Sequence, residues 1–262
     1  MLVIDEAQKI PNIGRALKLL LDNFEGIYVI VTGSSSFDLA NATAETLTGR
    51  KNLITLYPIS IIELALSDTL YKLEKQLENY LVYGMYPNVI TYEFEQQKKD
   101  WLMEIKDSYL LKDILEFQKV KSSRQIMDML KLLAFQIGSE VSSSEPAGSL
   151  GLDHKTILRY LELLEKSFVL FRLDGFSRNL RKEVTKMSKY YFYDIGIRNA
   201  LISNFNPLKL RNDLGQLWEN FLIMERIKRN RLGSLCPTFY FCSEFKQILA
   251  TAFNKLIINV NS

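Results

Sequence analysis

LVIDEAQKI, residues 2–10, is the stretch on which the reading of the whole chain turns. Residues 1–4 are too few for a helix and too apolar for a surface loop, so they predict a buried parallel strand that ends at Asp5-Glu6. Open α/β sheets carry their chemistry at the carboxyl ends of such strands. Working outward, residues 12–24 set Ile13, Ala16, Leu17, Leu20 and Leu21 at helical spacing, with Gly26 behind them as a stop. IYVIVTG, residues 27–33, predicts a second strand, after which the small hydroxyl residues Ser34, Ser35 and Ser36 replace bulk. Residues 38–47 predict a short helix and residues 52–56 a third strand, closed by Tyr57-Pro58. That alternation of strand and helix argues for a parallel sheet with helices packed on it.

Composition sets the outer bounds. The 262 residues are 47% hydrophobic and 24% charged, ordinary for a globular protein with room for more than one domain. A net charge of +3 does not by itself imply a nucleic-acid partner. Cys236 and Cys242 are the two cysteines and His154 is the one histidine, which argues against a structural zinc site or a disulfide framework and for a reducing cytoplasm. No apolar run approaches the roughly 20 residues that span a bilayer, and the start lacks the basic and apolar regions of a signal peptide. The expectation is a cytoplasmic protein without a membrane.

LVIDEAQKI, VTGSSSFDL, LTGR and LYPISIIEL, in this order and spacing, resemble the second half of the ATPase domain in a prokaryotic AAA+ group. YGMYP, RYLELLEKSFVL, KYYFYDIGIRNAL and GQLWENFLIMERIK resemble the domain of unknown function that follows it there, and the likeness runs from Leu2 to about Arg231. The resemblance implies ATP and magnesium as cofactors. Asp5 would hold the metal through its water shell, and Glu6 would orient and polarise the attacking water. Ser34 or Ser35 would sense the γ-phosphate, and Arg50 would be a candidate arginine finger. Read as residues alone, Asp5-Glu6 is equally a solvated strand end, Ser34 to Ser36 a helix N-cap and Arg50 a surface charge. The 262 residues contain no phosphate-binding loop of the form Gly, four residues, Gly-Lys-Ser/Thr, which the family carries ahead of the position of Met1. The chain is therefore expected to begin within the ATPase domain, to bind ATP poorly and to hydrolyse none. The strand that goes with that loop would sit between the strand ending at Gly33 and residues 52–56, leaving two sheet edges without ladder partners.

The expected fold class is α/β: a remnant of a parallel-sheet AAA+ domain over residues 1–65, a helical connector over 66–120, a winged helix-turn-helix over 121–185 and a partial nuclease-like α/β region over 186–262. In the connector, Leu70, Leu73, Leu77, Tyr80 and Leu81 share a face, YGMYP is a structural turn, and residues 97–116 predict another helix. In the next unit Ile126, Met129, Leu130 and Leu133 fit one helix, and Pro146 limits any helix between Gly138 and Gly151 to a short one. Asp153 caps HKTILRYLELLEKS, with Ile157, Tyr160, Leu161 and Leu164 facing a core, and FVLFRLDGFSRNL follows as a hairpin-like run. Used on DNA, such a unit would offer His154, Lys155 and Arg159 from its second helix. Residues 172–191 hold six Lys or Arg, including Arg178, Arg181 and Lys182, against two acids, an excess able to grip phosphates. A protein partner or a second copy of the chain is the competing use of a winged helix. Tyr190 to Asp194 is β-prone, and residues 215–229 form an amphipathic helix. The family resemblance would pair Glu219 with acids on a following hairpin, but beyond Phe241 the chain reads CSEFKQILATAFNKLIINVNS and departs from that pattern. Glu219 and Asp194 are accordingly expected to be structural hydrogen-bond partners.

Overall fold

The structure, a computed structural model, describes residues 1–33, 47, 49–109, 123–142, 144–174 and 188–232. Near the start, β1 (Leu2–Ile4) and β2 (Val29–Val31) pair in parallel, with Leu2 opposite Val29 and Ile4 opposite Val31. Parallel pairing needs a crossover, and α1 (Ile13–Asn23) supplies it. Ile13 and Leu17 of this helix pack with Ala7, Leu47 and the inward side chains of Ile4, Val29 and Val31 into a small core. The expectation of a strand buried on both faces is corrected here. Successive strand residues face opposite ways, α1 covers one face, and Val3 and Ile30 on the other are 55% and 50% exposed.

The third strand expected over residues 52–56 does not form. A strand exists only with a ladder partner, and among the described residues no strand lies beside this run, so Leu53, Ile54 and Leu56 stay exposed although they are apolar. Of the helix expected over residues 38–47, all but Leu47 lie outside the described residues.

A second and larger core begins at Ile61 and reaches to Phe221. Its first element, α2 (Ile61–Leu64), starts at a capping box in which the Ser60 side chain accepts from the Glu63 N–H and the Glu63 carboxylate accepts from the Ser60 N–H. Next comes α3 (Leu70–Tyr83), which buries Leu73, Leu77, Tyr80 and Leu81 as the spacing predicts, while Leu70 stays largely exposed. After the turn at Gly84, α4 (Pro87–Thr91) and α5 (Glu95–Glu104) follow, and α5 runs on into a π-helical turn at Ile105–Tyr109. The helix expected over residues 97–116 thus starts earlier, and its end lies among residues outside the description.

The chain then forms α6 (Ser123–Phe135), β3 (Glu140–Val141), α7 (Ser144–Leu150), α8 (His154–Lys166), β4 (Leu170–Leu173) and β5 (Ser188–Phe192). Ile126, Met129, Leu130 and Leu133 of α6 meet Ile157, Leu161 and Leu164 of α8 within the same core. The strands make an antiparallel sheet in the order β3-β5-β4, with Leu170 opposite Phe192 and Leu173 opposite Lys189. Among the described residues the ladder partner of β4 is β5, and residues 175–180 of the hairpin-like run lie outside the described residues. Last come α9 (Ile195–Leu201) and α10 (Leu214–Leu232). Among the described residues no helix is long and apolar enough to cross a membrane.

Candidate functional site

The parallel register of β1 and β2 has a chemical consequence at their carboxyl ends. With Ile4 opposite Val31, the next residue on each strand is brought alongside, and the Thr32 hydroxyl donates to Oδ1 of Asp5. Backbone bonds hold the pair in place: Thr32 N–H donates to Ile4 O at 2.9 Å and Ala7 N–H to Thr32 O at 3.0 Å. Glu6 follows at φ 52°, ψ 41°, a left-handed conformation that costs a non-glycine residue on the order of 1–3 kcal/mol. That turn starts the 3-10 segment Ala7–Lys9, buries Ala7 and lets the Glu6 carboxylate meet Lys9 Nζ at 2.8 Å. Asp5 and Thr32 offer oxygen atoms, the donor type a hydrated hard cation such as magnesium takes, while the Glu6 carboxylate is held by Lys9 and no cluster of three or more His, Cys, Asp or Glu forms among the described residues.

Thr32 is the residue that sequence reasoning passed over. It follows the apolar run IYVIV, and no local signal sets it beside Asp5; the register of the two strands does. Ser34 and Ser35 lie outside the described residues. Arg50 is engaged elsewhere: its guanidinium meets Asp22 Oδ1 at 2.6 Å, near the end of α1, in an exposed pair of the kind that contributes little stability.

A second group of candidate residues sits on α8. Asp153 caps the helix, its Oδ1 accepting from Thr156 N–H at 2.9 Å and its Oδ2 from the Thr156 hydroxyl at 2.6 Å. The Thr156 hydroxyl, then its N–H, hold the Asp153 carboxyl below its ordinary value. His154, Lys155 and Arg159 are exposed along this helix, with Leu158 between them. Neighbouring bases are paired with acids, Lys166 with Glu162 at 2.6 Å and Arg172 with Asp174 at 2.7 Å. Arg178, Arg181 and Lys182 lie outside the described residues.

The acids of the C-terminal part serve the fold. Asp194, fully buried, caps α9: Oδ1 accepts from Gly196 N–H at 2.8 Å, and Oδ2 accepts from Met85 N–H at 2.7 Å. Burial pushes its carboxyl up, against the pull of these amides and of Lys228. Glu219 makes a separate network, accepting from the Tyr191 hydroxyl at 2.6 Å and from Lys189 Nζ at 3.3 Å. Burial first, and then the Glu219 carboxylate, raise the Tyr191 phenol well above its usual range, so it stays a neutral donor.

Two family models match parts of the chain. Residues 1–65 match an AAA domain family, and residues 74–208 match a family described as a domain of unknown function, DUF8612. An uncharacterized protein of Haemophilus influenzae is 28% identical over 236 residues, which is 87% of this chain and 57% of that protein. Uncharacterized proteins of Mycobacterium tuberculosis and Methanocaldococcus jannaschii are 25% and 26% identical, covering 85% and 87% of this chain and 49% and 53% of theirs. The chain thus spans about half the length of the relatives it matches. No solved structure matches. Because the longer family match takes in more than half of the chain, the protein belongs to the DUF8612 family, with an AAA-type region ahead of that domain.

Proposed function

We propose that residues 1–65 are the hydrolysis-side part of an AAA-type nucleotide-binding unit. The observation that carries the reading is the parallel β1–β2 ladder, with Asp5 and Thr32 brought together at its carboxyl end and Glu6 next in the chain. In this reading Asp5 would hold magnesium and Glu6 would orient the attacking water. Thr32, with Ser34 or Ser35 beyond it, senses the γ-phosphate. Arg50, engaged with Asp22 within its own chain, would act on a neighbouring copy. When bound, magnesium would neutralise charge that develops on the phosphate oxygens. No Gly-Lys-Ser/Thr loop exists in the 262 residues to cradle those oxygens. Calorimetric titration of the purified chain with ATP and magnesium is expected to give a Kd of about 1 mM or weaker, about −4 kcal/mol, and no phosphate release. Asp5→Asn is expected to abolish what binding there is, and saturable micromolar affinity would overturn the reading.

A second reading, a DNA-contacting winged helix over residues 121–185, is favoured by one observation. The element order α6-β3-α7-α8-β4-β5, together with the strand order β3-β5-β4 and the exposure of His154, Lys155 and Arg159 on α8, supports it, α8 being read as the second helix of a helix-turn-helix. Arg178, Arg181 and Lys182 would add phosphate contacts. Here Lys155→Glu with Arg159→Glu is expected to weaken duplex binding about tenfold or more and to lower the salt slope by about 2. Gel shifts at several salt concentrations measure both, and a wild-type chain that shifts no duplex at low salt removes the reading.

A further inference from the structure

Residues 57–61, where the AAA-type region meets the larger core, are held with unusual completeness. The Tyr57 ring stacks on Tyr193 with centroids 5.9 Å apart, and Ile59 N–H donates to Met85 O at 2.9 Å. The Ile59 carbonyl accepts from Lys228 Nζ at 3.0 Å, and Ile61 N–H donates to Glu225 Oε2 at 2.8 Å. Glu225 and Lys228, one turn apart on α10, are 1% and 4% exposed and are paired to each other at 2.8 Å. Two buried charges thus reach across a sequence separation of more than 160 residues to take hold of backbone groups on either side of Ser60, itself fully buried.

A buried ion pair is a poor way to gain stability, since desolvation cancels much of its attraction and an apolar pair of similar volume does as well or better. Direction is what it adds. An apolar contact lets a segment slide by a residue, whereas a carboxylate that takes one N–H and an ammonium that takes one C=O accept a single alignment. We propose that Glu225 and Lys228 form a clasp that fixes the register at which residues 59–61 dock on α10. The groups facing the clasp from other elements are Asp194 at the start of α9 and Glu63 on α2. The clasp does not depend on nucleotide binding.

Hydrogen exchange on the full chain, read by peptide mass spectrometry, decides it. Lys228→Met keeps the length of the stem and removes the donor to Ile59, so residues 59–64 are expected to exchange about tenfold faster while β5 and α9 change less than about twofold. Glu225→Gln keeps an acceptor for Ile61 N–H but takes the counter-charge from buried Lys228, so residues 59–64 are expected to exchange faster there too, though less than in Lys228→Met. Acceleration spread equally over β5 and α9 would make the pair an ordinary stability element and overturn the clasp. Unchanged exchange at residues 59–64 in Lys228→Met would overturn it as well.

Discussion

Gly84→Ala is expected to leave no folded protein, whereas Gly138→Ala should be tolerated. Gly84 ends α3 at φ 78°, ψ −166°, a backbone region that is essentially closed to residues with a Cβ. Space is denied too, since an added Cβ would lie 2.0 Å from Asp194 Oδ1 and 2.6 Å from its Cγ. Asp194 has no room to retreat, because it is fully buried and its oxygens hold Met85, Gly196 and Ile197 N–H groups. Gly196→Ala fails for a kindred reason, its Cβ falling 2.1 Å from the Tyr83 backbone oxygen. The chain at residues 83–85 and the start of α9 touch backbone to backbone, and neither side has a flexible end that can give way. Each substitution is expected to cost more than about 4 kcal/mol, most of a typical domain's stability. Gly138 shares the positive φ of 76°, but its nearest neighbour would be Glu219 Oε2 at 3.4 Å, so about 1 kcal/mol is expected there. Urea unfolding followed by near-ultraviolet circular dichroism compares the three variants, and a cooperative transition near wild type in Gly84→Ala would refute the account.

The joint at Gly84 and Asp194 was only partly legible in the sequence. YGMYP announced a turn, and Asp194 before Gly196 announced the start of a helix, yet nothing local says that the two meet across 109 positions. Local rules did well where the cause is local: the Asp153 cap, the buried stripe Ile157, Tyr160, Leu161 and Leu164, and the strand-helix-strand order of residues 2–31. They failed at residues 52–56, because apolar content reports that a segment would pair, not that a partner strand stands beside it. Nothing local singles out Glu225 and Lys228 either, since their burial depends on residues 59–61 arriving from the far end of the chain. At the candidate nucleotide edge, Asp5 and Glu6 were legible from the strand that carries them. Thr32 required the register, which only pairing reveals.

Acid should unfold the protein in part through one carboxylate, Asp213. Two guanidiniums converge on it: Arg198 Nη1 and Arg211 Nη2 both donate to Oδ2, and Arg211 Nε donates to Oδ1 at 2.8 Å. Both arginines are buried, at 1% and 8% exposure, and Asn199 Oδ1 together with the carbonyls of Ala134 and Asn204 takes further donors. Burial alone would raise the Asp213 carboxyl, but the hydrogen bonds from Arg211 and Arg198 outweigh it and hold the group at about 2. A carboxyl whose folded value lies below its unfolded value of 3.8 stabilises the fold fully above that value. On acidification the unfolded chain takes up the proton first, so the contribution drains away between about pH 4 and pH 2, and it amounts to about 2 kcal/mol. Asp194 and Glu225 do not share in this loss, since burial raises both. Asp213→Asn should therefore be less stable than wild type at neutral pH by about 3 kcal/mol, the cost of leaving buried guanidiniums without their anion. The gap should narrow as pH falls below about 4, because protonation deprives the wild type of the same charge. Urea titrations at closely spaced pH values give the two curves, and a gap that stays constant down to about pH 2 would mean that Asp213 is not the group that titrates.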